Sequence, residues 1–202
     1  MSEKRGFTLI ELLIGLSISA IVLAGVMTMA SALSSAEQYA GDRSEKQAGL
    51  RYTSLHLSDL IRNCRLVTGF NDGDLGIWQA DENEDGSINI NEMVYVQPVE
   101  TENCIKVCSF DSATNPSIGL GQSQTLNKAG YSPVYTEILS GCSNISFDLH
   151  GQSPPATKRV TLSFELSIND IRNYYEITAT LRAHAGHLLD ESGTMIVSDD
   201  DE

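Results

Sequence analysis

Gly6-Phe7-Thr8-Leu9-Ile10-Glu11-Leu12-Leu13 opens an apolar run that continues to Leu33 with Glu11 as its sole charge. The 27 residues from Phe7 to Leu33 exceed the ~20 that cross a bilayer core as helix. Lys4 and Arg5 stand just ahead of the run. The bias of positive charge toward the cytoplasm therefore predicts a single-pass segment with a cytoplasmic N-terminus and the bulk of the chain on the far side. A plain anchor has no use for Glu11. A carboxylate among lipid-facing residues is costly and marks a function by default. Glu11 also lies close enough to the start of the span to snorkel toward the interface.

Beyond Leu33 the apolar character becomes one-sided. Leu50, Leu57, Ile61 and Cys64 recur at helical spacing, with Leu60 and Val67 beside them, while Asp42, Arg43, Glu45, Arg51, Asp59 and Arg62 take other positions. This predicts an amphipathic half-helix over 34–68, ended near Gly69 and laid against a sheet. The second half of the chain alternates with period two. Val160, Leu162, Phe164, Leu166 and Ile168 form one such run, Tyr175, Ile177, Ala179 and Leu181 another, and Ile145, Phe147 and Leu149 a third. Alternation of this kind means antiparallel strands with one buried face. Val134 to Leu139 reads as an edge strand, Asn169-Asp170 as a turn, and Asp111 to Ser132 as a long surface loop. The organisation expected is a leader over 1–6, a membrane segment over 7–33, a half-helix over 34–68, a β-rich domain over 69–190 and an acidic tail over 191–202. The fold class is α+β, a long N-terminal helix against an antiparallel sheet.

The 202 residues carry a formal net charge of −14, partly in the terminal run Asp199-Asp200-Asp201-Glu202. An acidic surface argues against nucleic acid as a direct partner, because phosphate binding needs a basic patch. Removing the helix leaves roughly 135–170 residues, enough for one globular domain.

Residues 81 to 92, Asp-Glu-Asn-Glu-Asp-Gly-Ser-Ile-Asn-Ile-Asn-Glu, satisfy the twelve-residue calcium-loop pattern in full. Asp81, Asn83 and Asp85 would supply side-chain oxygens, Ser87 its carbonyl, Asn89 a side chain or bridged water, and Glu92 two oxygens; Gly86 permits the turn. The flanks, Leu75 to Ala80 and Met93 to Gln97, read as strands, so the site would sit at the tip of a hairpin. A solvated acidic turn explains the same composition.

Four cysteines, Cys64, Cys104, Cys108 and Cys142, permit two disulfides in an exported domain. Cys104 and Cys108, spaced C-x-x-x-C, span only one helical turn or a tight loop; in an extended strand they would lie about 13 Å apart, too far to bridge. Pairing Cys64 with Cys142 would staple the end of the long helix to the sheet. Nothing supports an enzyme. The sequence has no nucleophile elbow, P-loop or H-E-x-x-H, and His184 and His187 lack a carboxylate ligand nearby.

Gly6, Phe7, Thr8 and Glu11, set between a basic leader and a long apolar run, resemble the class III signal of type IV pilins and type II secretion pseudopilins. The resemblance implies a pilin-like fold, cleavage by prepilin peptidase after Gly6 and N-methylation of Phe7. It also implies that Glu11 pairs with the N-terminal amine of a neighbouring subunit, rewarding correct register in the fibre. Leu50-Arg51-Tyr52 and Asp59-Leu60-Ile61-Arg62-Asn63 resemble, more weakly, PilW-like minor type IV pilins and J-type minor pseudopilins. The partners implied are prepilin peptidase, other minor subunits, the major subunit and the inner membrane, with the fibre as final destination. A second reading stays open. Ala30-Ser31-Ala32 has the form of a conventional signal-peptidase site, which would release a secreted, soluble calcium-binding module beginning at Leu33.

Overall fold

The computed structural model describes residues 8–71, 73–168, 171–182 and 189–190. Gly6 and Phe7, the Asn169-Asp170 turn, His184 and His187, and the acidic tail over 191–202 lie outside these residues. The chain divides into two compact units, 1–45 and 46–202, and the division falls inside one helix, α1 (Leu9–Asn63).

In the first unit, every described side chain of the helix is exposed. Leu9, Leu12, Leu13, Ile14, Leu16, Ile18, Ile21, Val22, Leu23 and Val26 cover no other part of the unit. The stretch is long and apolar enough to cross a membrane. Five of its hydroxyls are satisfied by the helix itself. Ser17 donates to Leu13 O, Ser19 to Gly15 O, Thr28 to Gly25 O, Ser31 to Thr28 O and Ser35 to Ser31 O, at 2.8–3.0 Å. Such back-bonding to the preceding turn is how polar side chains are carried into an apolar surround.

The second unit begins with the last turns of α1. Thr53, Leu57, Leu60 and Ile61 are buried at helical spacing. Each buried aliphatic contributes roughly 1.5–3 kcal/mol. Thr53 donates its hydroxyl to Gly49 O and to Ile138 O, so the helix is tied to the sheet by a polar bond as well as by packing. The helix ends at Asn63, earlier than the half-helix over 34–68 expected from sequence. Val67, Thr68 and Gly69 belong instead to β1 (Leu66–Asn71). The β-branched pair favours extended backbone, and β1 closes a hairpin with β2 (Asp74–Trp78), Leu66 opposite Trp78. Gly69 is therefore no helix terminator. A Cβ there would sit 2.8 Å from Gln124 Cγ, so glycine lets a neighbouring helix approach β1 closely.

The hairpin starts a five-stranded antiparallel sheet in the order β1-β2-β3-β4-β5, with β3 (Met93–Val99), β4 (Cys104–Phe110) and β5 (Pro133–Ser140). A second antiparallel sheet holds β6 (Cys142–Asp148), β7 (Arg159–Ile168) and β8 (Ile171–Thr180). The three alternating runs of the C-terminal half are these three strands, and the stretch around Val134 to Leu139 is the edge strand β5.

Period two distributes the five-stranded sheet between two cores. Val67, Ile77, Val94, Val96, Ile105 and Val107 face the core shared with α1 and the second sheet. Leu66, Trp78, Met93, Tyr95, Cys108 and Phe110 face the opposite side. Ile118 and Leu120 close that second core from within the segment read as a surface loop. The segment holds a short helix, α2 (Leu120–Gln124), seated on β1. The difference has a simple cause: the Ser, Gly and Gln of this segment are mostly its exposed residues, while Ile118 and Leu120 are buried.

Candidate functional site

The described chain begins at a helix cap. Thr8 Oγ1 accepts the Glu11 N–H at 3.3 Å, and Glu11 Oε2 accepts both the Thr8 N–H at 3.0 Å and the Thr8 hydroxyl at 2.8 Å. Leu12 N–H then donates to Thr8 O as the first bond of the ladder. This is a reciprocal capping box, T-x-x-E, which satisfies amide groups that a helix start otherwise leaves open. A lone carboxylate at the head of an apolar helix thus has a local task, and its negative charge suits the positive end of the helix dipole. Sequence reasoning had Glu11 only as a snorkelling or pairing group. The T-x-x-E spacing ahead of an apolar run was the signal for the cap.

The acidic loop is folded tightly on its own backbone. Asp81 Oδ1 accepts Asp85 N–H at 3.2 Å and Oδ2 accepts Gly86 N–H at 3.1 Å. Asp85 Oδ1 accepts Ser87 N–H at 2.8 Å, and Oδ2 takes amide protons of Asn83 and Asn89 at 2.7 and 3.1 Å. The Asn89 amide and the Ser87 N–H hold the Asp85 carboxyl below its usual range. Asp81, Asn83 and Asp85 therefore surround one turn, as the pattern requires. Glu92 is placed differently. It is 4% exposed, with Oε1 accepting Glu82 N–H at 2.9 Å and Oε2 accepting Trp78 Nε1–H at 3.1 Å and Asn89 N–H at 3.2 Å. Arg65 lies 3.6 Å from Asp81 Oδ2 and 5.5 Å from the centre of the Trp78 ring. Among the described residues no three His, Cys, Asp or Glu side chains form a group that could hold a metal. A cation here would rest on a mixed set that includes Asn83 and the loop's carbonyls. Hard oxygen donors of this kind match calcium.

All four cysteines are buried thiols. Cys64, considered from sequence as a partner of Cys142, lies in the same core as Cys142, with its Sγ 3.2 Å from Ile61 O. Burial pushes the Cys64 thiol up to about 12 and the Cys142 thiol up to about 11, the nearby Cys104 adding to the latter.

Residues 1–27 match the family model described as the prokaryotic N-terminal methylation motif. No curated protein and no solved structure matches the chain. The motif is the signature of type IV pilins and pseudopilins, and this chain carries it at its N-terminus. With the long helix and antiparallel sheets behind it, the architecture is consistent with the pilin-like α+β fold. The motif implies processing by prepilin peptidase and a structural role in assembly with other pilins.

Proposed function

We propose that this chain is a minor pilin or minor pseudopilin, held in the inner membrane by α1 and incorporated at or near the fibre tip to prime assembly. Its globular unit would lie outside the inner membrane. The observation that carries the reading is the methylation motif continuing into a capped apolar helix whose described side chains up to residue 45 are all exposed. A helix with apolar residues on every side requires a lipid or protein surround, and a fibre core of sibling helices supplies one. The sub-stoichiometric, tip-proximal place rests on the weaker resemblance of residues 50–63 to PilW-like and J-type subunits.

Intact-mass and N-terminal peptide measurement of the protein from its native membrane tests this. The expected chain begins at N-methylated Phe7 and is far less abundant than the major subunit in sheared fibres. A chain beginning at Leu33 would overturn the reading in favour of a conventionally exported soluble module.

We further propose that the 81–92 loop takes calcium, with Asp81, Asn83, Asp85, Ser87 and Glu92 as the donor set, to rigidify the hairpin tip. Support comes from the complete twelve-residue pattern and from the three side chains already gathered about the turn. Trp78, the single tryptophan, donates to Glu92 and so reports on the loop. Calcium chloride added to the chelated full chain in detergent is expected to change its fluorescence saturably, and Asp85→Ala to abolish the change. A flat titration of the unaltered chain would remove calcium from the picture.

A further inference from the structure

We propose that Cys104 and Cys142 form a disulfide that bolts the five-stranded sheet to the three-stranded one. The inference rests on the reading that the globular unit is delivered outside the inner membrane, where thiols meet oxidants.

The geometry comes from the passage between the sheets. Strand β5 ends at Ser140, opposite Cys104 in the ladder. Gly141 then turns the chain with φ +71°, and Cys142 opens β6 in the other sheet. Asn103, with φ +52°, makes the matching left-handed step just ahead of Cys104. The two turns bring the segments together: Cys142 N–H donates to Asn103 O at 2.9 Å, and Cys142 Sγ lies 3.6 Å from the same oxygen. That oxygen belongs to the peptide leading into Cys104. Covalent dimensions then leave the two Cα atoms no more than about 7 Å apart, at the outer edge of the usual disulfide span or within it. Both side chains are buried, at 1% and 0% exposure; Cys142 belongs to the core shared with α1, and Cys104 alternates with Ile105 on β4, so closing the bond requires the Cys104 side chain to swing toward β6.

The other pairings are poorer. Cys104 and Cys108 are four residues apart on one strand, β4. Cys108 belongs to the second core, on the opposite side of the sheet from the core that holds Cys64 and Cys142. Cys64 shares the core of Cys142, but its Sγ is turned to Ile61 O at the helix end, whereas the Cys142 Sγ faces Asn103 O and Leu139 O beside Cys104 and the end of β5.

The chemistry is thiol–disulfide exchange. One thiolate attacks the disulfide of an oxidant, a protein disulfide or oxidised glutathione, breaking its S–S bond and forming a mixed disulfide. The second thiolate displaces it, closing the Cys104–Cys142 bond. Two electrons and two protons leave with the oxidant, now a protein dithiol or two glutathione thiols. Buried thiols of high pKa attack slowly, so the bond forms most readily while the domain is folding after export.

The test is a non-reducing peptide map of the full chain in detergent, free thiols blocked by alkylation. One sample is taken directly from the native membrane. A second is first reduced, then brought to plateau in a glutathione redox buffer. The expected result is a cross-linked Cys104–Cys142 peptide, two hydrogens lighter than the sum of its halves, with Cys64 and Cys108 alkylated. Cys64→Ala and Cys108→Ala should retain the cross-link, and Cys104→Ser should lose it. A different pair in the redox-buffered sample, or four alkylated thiols there, overturns the proposal. A cross-link in that sample with a reduced native one supports the pairing and counts instead against the extracytoplasmic location.

Discussion

Glu11→Ala is expected to leave the chain processed and membrane-held while cutting its incorporation into the fibre by at least about tenfold. Two effects combine in that substitution. The first is local: the carboxylate that accepts the Thr8 N–H and hydroxyl is lost, at a cost of about 1 kcal/mol for a helix cap. That loss frays the first turn and does little more to a helix long enough to span a bilayer. The second is collective. If Glu11 pairs with the N-terminal amine of a neighbouring subunit, removing it leaves an amine unpaired at low dielectric, which costs about 3–5 kcal/mol. The collective effect outweighs the local one, and it acts only on assembly. Glu11→Gln separates the two, because glutamine can complete a capping box but carries no charge. Quantifying the subunit in sheared fibres against the membrane fraction gives the readout. A glutamine variant that assembles normally would eliminate the ion pair and leave the cap as the whole role of Glu11.

The second large effect is predicted at the far end of the acidic loop. Glu92→Ala should destabilise the globular unit by about 2–5 kcal/mol, since it orphans two buried donors and one part-buried donor that now share one carboxylate. Those donors are the Trp78 indole and the main-chain N–H groups of Glu82 and Asn89. Glu92→Gln keeps an acceptor and should cost markedly less. Asp85→Ala, on an exposed residue of the same loop, should cost least of the three. Urea unfolding followed by Trp78 fluorescence ranks them. Equal, small losses for all three would mean that Glu92 is a solvated turn residue and its burial carries no energy. The ranking also bears on calcium, because an ion can recruit Glu92 only by competing with the bonds that hold it inward.

The fold was legible where burial is one-sided. Strands β6, β7 and β8 were visible because each alternates cleanly, and the final turns of α1 because Leu50, Leu57 and Ile61 sit at helical spacing. Strands β1 and β4 were not. Val67 falls in helical phase with Leu57 and Ile61, and only its pairing with Ile77 assigns it to a sheet. Cys104 to Phe110 is buried on both faces, so it lacks the alternation that announces a strand, and its cysteines drew attention to bonding instead. The second core was hidden for the same reason: its residues alternate along strands whose other residues face α1. At the candidate site, the loop's turn chemistry could be read from Asp81, Asn83 and Asp85. The inward turn of Glu92 could not, because it depends on an indole fourteen positions away in the chain.

The hydroxyl groups along the first part of α1 carry one more consequence. Ser17, Ser19, Thr28, Ser31 and Ser35 are each satisfied by the helix that bears them. To such a rod, acyl chains and sibling rods are equivalent surroundings, and transfer between them breaks none of these bonds. The transfer would therefore be nearly level in free energy along most of the segment and reversible in principle. Direction would have to be imposed at its head, where the one ionised group resides, or by work supplied from outside the subunit.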